Sequence, residues 1–167
     1  MLPSFTGEYP QKVDGKGRMS IPADFRAVLE ARDPKWQNGT NPRLVLQYSD
    51  NLKDHLRVYT VERIEEIRAR IERAPEGPNK RGLQFLYFTQ TVTLEVDKDG
   101  RIVLPIRHRQ KLGLTEGEVT FLGYGSYFEI WKSETYSGTK AQEIGGWLEA
   151  LPDNVDPLAL IDDLPEG

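Results

Sequence analysis

The sequence predicts a mainly β protein with short helices, an α+β fold in which one structural unit is written twice in a single chain. The first observation is a repeated phrase: VDGKGRMSIP at 13–22 returns as VDKDGRIVLP at 96–105, with Asp, Gly, Arg and Pro at the same offsets. The second is that short alternating apolar segments flank both copies. The third is size, since 167 residues with 38% hydrophobic content suit one compact domain or two small halves fused around one core.

Each copy reads as strand, tight turn, strand. In DGKG and DKDG an Asp lies three residues before a Gly, the pattern of a type I turn closed by a glycine at positive φ, a three-residue hairpin loop with a bulge. Asp14 and Asp97 are placed to accept backbone N–H groups inside that loop, so Asp14, Gly17, Asp97 and Gly100 are the expected turn-structuring residues. Before the second turn Val92, Leu94 and Val96 share a face. After the turns Met19 joins Ile21, and Ile102 joins Leu104. Pro22 and Pro105 break the ladder and are expected as the first residues of helices, where the missing N–H costs nothing. Those helices are PADFRAVLEAR and PIRHRQKL, the latter stopped by Gly113.

Two more strands follow in each half: RLVLQY and LRVYT in the first, EVTFLGY and FEIW in the second, with GYGS as the turn between the last two. Val58-Tyr59 corresponds to Ile130-Trp131 as the closing apolar pair. The spacing is too long for a solenoid, so two copies point to a pseudo-twofold fold made by duplication. Between the halves, one helix carries Ile64, Ile67 and Ile71 on a stripe, with Glu66 and Arg70 spaced as an i,i+4 pair. APEGP ends it, and NKRGLQFLYF is a second helix completing a helical hairpin, with Phe85, Tyr87 and Phe88 read as core. The polar segment DPKWQNGTNP, residues 33–42, is a surface excursion. The segment 151–167 has too little apolar pattern to pack and is expected to fray or to be ordered only by crystal or subunit contacts. The expected division is a first repeat over 8–63, a helical linker over 64–90, a second repeat over 91–136, and a C-terminal helix with acidic tail over 137–167.

Composition narrows the function. Without cysteine there is no disulfide, no thiolate nucleophile and no Cys-ligated zinc. No apolar run reaches the roughly 18 to 20 residues of a membrane helix, and MLPSFTGEYP lacks the pattern of a signal peptide, so a cytoplasmic location is expected. The formal net charge is -4, yet seven acids and no Lys or Arg fall within 141–167. The body up to residue 140 is therefore basic by about three charges, which permits DNA binding. DKDGRIVLPIRH misses a calcium loop, because Arg101 and His108 stand where ligands belong. GYGSYF has two of the three glycines of a dinucleotide fingerprint and joins strands. His55 and His108 are too few for a His-rich metal centre. No cofactor, no metal, no small-molecule substrate and no enzyme activity are expected.

The basic turns remain. Lys16 and Arg18 lie at the first, Lys98 and Arg101 at the second, followed by Arg107 and Arg109 on the short helix, all of them phosphate and base-edge ligands by type. Ion pairing of Asp14 with Arg18 and of Asp97 with Arg101 is the competing role for those four residues.

DGKGR with IPADFR, DKDGR with LPIRHRQ, NKRGLQFLYFTQT and FEIWKSETY resemble the MraZ transcriptional regulators, whose two tandem SpoVT-AbrB units each carry an Asp-x-x-x-Arg signature. The resemblance spans residues 5 to about 150. It implies a swapped-hairpin AbrB-like barrel formed by both units of one chain, assembly into a homo-oligomeric ring, and binding to repeated sites in double-stranded promoter DNA of the division and cell-wall gene cluster, hence association with the nucleoid. The lengthened segment EARDPKWQNGTNPR departs from that pattern. The alternative is an AbrB-fold module that grips an acidic protein partner and binds no DNA.

Overall fold

The computed structural model describes residues 3–163. In chain order the elements are β1 (Glu8–Val13), β2 (Arg18–Ser20), α1 (Ala23–Ala31), β3 (Arg43–Gln47), β4 (His55–Tyr59), α2 (Val61–Glu72), α3 (Pro78–Gln84), β5 (Thr91–Glu95), β6 (Arg101–Val103), α4 (Ile106–Leu112), β7 (Gly117–Gly123), β8 (Tyr127–Lys132), α5 (Ser133–Thr135) and α6 (Ala141–Glu149). A π-helical turn, Phe85–Thr89, prolongs α3. One compact unit runs to Ser133 and a second begins at Glu134. No helix among the described residues is long and apolar enough to cross a membrane.

The strands form one six-stranded antiparallel sheet, β1-β7-β8-β4-β3-β5, and one antiparallel ribbon, β2-β6. Among the described residues the ladder does not close on itself: β1 and β5 end the order. The order also reads alike from both ends, since β1 and β5 follow corresponding stretches, as do β7 and β3, and β8 and β4. At the centre of the sheet Arg57 faces Glu129, and at the centre of the ribbon Met19 faces Ile102. An axis through those two pairs relates the halves of the chain. The reason lies in the turns. Asp14 N–H to Arg18 C=O (3.1 Å) and Gly17 N–H to Asp14 C=O (2.9 Å) close only the base of the first hairpin. Three-residue β2 is too short to ladder along β1, and it turns Met19 into the core, so each hairpin opens and its strands find partners in the other repeat.

That core is apolar and shared. Phe25 of α1 meets Phe5 at 5.1 Å and Phe128 at 4.8 Å, while Leu44, Leu46, Leu56 and Val58 line the sheet beneath, all fully buried. Pro22 and Pro105 prove to be N-caps, one residue ahead of the helices, each with its carbonyl accepting the first helical N–H. Gly113 ends α4 in the left-handed region, φ 81°, as its position foretold. The excursion at 33–42 is anchored by buried Asp33, which accepts from Arg43 Nε (3.0 Å) and Nη2 (2.7 Å) and from two backbone N–H groups.

The linker differs from expectation in two ways. Its first helix starts at Val61, the first residue of VERIEEIRARIER, because Thr60 accepts from Arg63 N–H and caps it. Glu66 pairs with Arg63 at 3.1 Å rather than with Arg70. Ile64 and Ile71 are buried, but Phe85 and Phe88 are exposed, because the π-helical turn changes the angular step and carries them off the buried stripe; the Arg68 guanidinium covers Phe88 at 5.2 Å. In the second unit, α6 is amphipathic, and Pro157–Asp163 forms a 3-10 helix where fraying was expected. Residues 164–167 of that expectation lie outside the described residues.

α4 buries His108 where α1 buries Phe25. Its ring lies 4.5 Å from that of Tyr48, and burial, then the charges of Arg107 and Lys111, push its pKa down to about 4. The folded state holds the imidazole neutral while the unfolded chain protonates near pH 6.5, so the contribution is whole above pH 6.5 and is lost as pH falls toward 4. The loss is roughly 2 to 3 kcal/mol. Denaturation midpoints from pH 7 to 4 should fall less steeply in His108→Phe than in the parent. Parallel curves would refute the assignment.

Candidate nucleic-acid interface

In the first turn the Asp14 carboxylate accepts from Lys16 N–H and Arg18 N–H, both at 2.9 Å, and from Arg18 Nε at 2.6 Å. Those bonds, the Arg18 backbone donor foremost, lower its pKa to about 2. The second turn repeats the backbone scheme: Asp97 accepts from Asp99 N–H (2.9 Å) and Arg101 N–H (3.0 Å), the latter chiefly holding its pKa below the usual carboxylate range. Its arginine behaves differently. Arg101 Nη2 reaches Asp99 at 3.3 Å, not Asp97, because Asp99 occupies the place that Lys16 holds in the first turn. Lys98 accordingly corresponds to Gly15, so the two tips carry their lysines one step apart.

Gly17 and Gly100 have φ of 85° and 79°. They also sit where the repeats lock together: Leu104 N–H donates to Gly17 C=O at 2.7 Å, and Ile21 N–H to Gly100 C=O at 2.8 Å. These two bonds are mates across the axis. A second reciprocal pair backs them. Arg109, 7% exposed, donates to Leu104 C=O (2.9 Å), Thr115 C=O (2.8 Å) and Gly15 C=O (3.5 Å) behind the first turn. Arg26, its counterpart on α1, lays its guanidinium over Gly100, in the space a Cβ there would take. Arg109 is thus committed inward to carbonyls, and Arg26 was missed by sequence reasoning. Its signal was available, since IPADFR and LPIRHR align with Arg26 on Arg109.

The remaining candidates face outward. β2 and β6 pair Arg18 with Val103 and Ser20 with Arg101, and with Met19 and Ile102 pointing inward these four share the ribbon's outer face. Arg18 and Arg101 stand at diagonal corners and line one groove of about 540 Å³ with Lys12, Ser20, Glu116 and Glu118. Lys16 and Lys98 are exposed at the turn tips. Arg107 is set apart, its guanidinium 4.8 Å over the Tyr48 ring. The ribbon therefore offers two arginine forks in a near-symmetric frame, tempered by three carboxylates in the groove, Asp14, Glu116 and Glu118, a surface for phosphate and base edges rather than for covalent chemistry.

A family model described as "MraZ protein, putative antitoxin-like" matches residues 87–144. Among curated proteins, the transcriptional regulator MraZ of Ruegeria sp. (strain TM1040) is 45% identical over 159 residues, covering 95% of each chain. That of Ruegeria pomeroyi is 44% identical over 163 residues, 97% of each. That of Herpetosiphon aurantiacus is 38% identical over 133 residues, covering 79% of this chain and 83% of its own.

Proposed function

Because the chain belongs to the MraZ family of transcriptional regulators, we propose that it binds double-stranded promoter DNA through the outer face of the β2-β6 ribbon, with Arg18 and Arg101 as principal contacts. It is a regulator and not an enzyme. Lys16 and Lys98 add phosphate contacts from the turn tips, and Arg107 extends the surface along α4. Arg109 and the turn residues Asp14, Gly17, Asp97 and Gly100 hold the frame. The observation that carries this reading is the shared outward face of Arg18 and Arg101 at the meeting of the two repeats. Sheet and ribbon together are read as one swapped-hairpin barrel, with 8–63 and 91–136 as its halves, supported by the strand order that reads alike from both ends. Several such chains form a ring that meets tandem sites upstream of the division and cell-wall genes, at the nucleoid.

Arg18→Ala and Arg101→Ala should each weaken promoter binding by about tenfold or more, because every copy in the assembly is altered at once, with stability changed by less than about 1 kcal/mol, since Arg18 is exposed and Arg101 half-exposed. Gel shift and circular dichroism on the same samples check this. Folded variants that bind like the parent would remove these arginines from the contact surface, and a parent that shifts no promoter DNA would favour the protein-interaction alternative. Footprinting on the gene's own upstream region should protect short direct repeats. Residues 1–75 expressed alone should be insoluble or homodimerise, because β1 and β2 then lack β7 and β6; a stable monomer on sedimentation would mean two independent domains.

A further inference from the structure

We propose that the cavity between α2, α3 and the β4-β8 strands binds a nucleotide, an organic phosphate carrying a planar ring. The cavity measures about 430 Å³, within the range of small-ligand sites, and shares no residue with the groove that Arg18 and Arg101 line. Arg57, Arg63 and Arg70 line it, no carboxylate is among its lining residues, and Arg63 Nη1 pairs with Glu66 at 3.1 Å outside the lining. Two of the three are incompletely satisfied: Arg57 Nε and Arg63 Nε are buried without a hydrogen-bond partner. Arg57 spends its other nitrogens on contacts at the outer limit, 3.5 Å to Tyr59 Oη and 3.5 Å to Glu129. Such donors gain a partner once the guanidinium groups shift toward an acceptor-rich group in the cavity.

The remaining lining fits a ring. Tyr59 lies between Tyr87 and Tyr127, with centroids at 6.5 and 5.8 Å, and Arg57 stacks 4.4 Å over Tyr127. Ile67, Ile71 and Leu83 supply apolar surface. Aromatic faces and a stacked guanidinium accept any base by its π-face, while guanidinium forks match phosphate oxygens two at a time. A single cavity of this volume suits a small molecule better than an extended acidic peptide. The pairing of Arg57 with Glu129 at the axis also places the site on only one side of the pseudo-twofold. On the equivalent side Glu129 takes the arginine's place.

The test is calorimetric titration of the full chain, without DNA, using ADP and UDP, with pyrophosphate, adenosine and a glutamate-rich peptide as comparison probes. ADP or UDP should bind with micromolar to submillimolar affinity, and pyrophosphate and adenosine at least about tenfold more weakly. Arg70→Gln, at an exposed position, should weaken ADP about tenfold or more and leave the melting temperature unchanged. Arg81→Gln, exposed on α3 outside the lining, should change nothing. No heat from either nucleotide at millimolar concentration would overturn the proposal, as would equal binding by Arg70→Gln. Pyrophosphate binding as tightly as ADP would overturn the assignment of the ring. Peptide binding in place of ADP would overturn the ligand class. Gel shift of Arg70→Gln with promoter DNA should match the parent; selective loss there would assign the cavity to the DNA surface instead.

Discussion

Gly17→Ala is expected to destabilise the protein by about 3 kcal/mol or more, whereas Gly15→Ala, two residues away, should stay within about 0.5 kcal/mol. Two effects act together at Gly17. Its φ of 85° costs an L-residue about 1 to 2 kcal/mol. A Cβ would also meet the Leu104 carbonyl oxygen at 2.5 Å and Arg109 Nε at 3.1 Å, and crowding against backbone costs typically about 1 to 3 kcal/mol more. Relief requires moving the turn away from the second repeat, which lengthens the Leu104 N–H to Gly17 C=O bond that locks the halves. Gly15 has ordinary φ, and its Cβ would find only the tip of Glu116 at 3.6 Å. Gly100→Ala should resemble Gly17→Ala in strain but cost less by crowding, because what it meets is the flexible Arg26 side chain rather than backbone. Urea denaturation of the three variants ranks them. Equal midpoints for Gly17→Ala and Gly15→Ala would show that the turn is not a lock.

The turns and the duplication were legible because they are local and repeated: Asp, Gly, Arg and Pro at fixed offsets dictate a loop wherever they occur. Strand positions were legible for the same reason, since alternation in TVTLEV or RLVLQY needs no partner to be read. The pairing was not legible. Nothing local in VDGKGRMSIP says that β1 joins β7 and β2 joins β6, because those ladders form between segments about a hundred residues apart. The role of Arg109 was hidden by its type. An arginine on a short helix beside a turn reads as a DNA ligand, and only the three carbonyls converging on it reveal an inward task. The linker aromatics were misplaced by one assumption, a constant helical step, which the π-helical turn at Phe85–Thr89 breaks. The likeness of the two basic turns hid a difference as well: Asp99 stands where Lys16 stands, so the second arginine pairs within its own loop.

Shortening an operator from three repeats to one should lower affinity by about a hundredfold or more, the second large effect expected of this protein. One chain offers DNA little positive charge. Its body is basic by about three formal charges, and on the ribbon face Arg18 is tied to Asp14 at 2.6 Å and Arg101 to Asp99 at 3.3 Å, with Glu116 and Glu118 lining the same groove. Duplex affinity at physiological salt grows with the number of phosphates neutralised, so a lone chain with two screened arginines and two turn lysines as its proposed contacts should bind poorly. The proposed ring changes the arithmetic, because each engaged copy would hold its neighbour at a high effective concentration, and such linkage raises avidity by about 10² to 10⁴ without a new contact. The dependence of log affinity on log salt should steepen with each repeat added, while a single repeat shows the shallow slope of a few contacts. Light scattering on the free protein and salt titrations with one, two and three repeats decide it. A monomer that grips one repeat as tightly as three would remove the avidity mechanism and place the whole of recognition in one ribbon, where Arg18→Ala alone should then abolish binding.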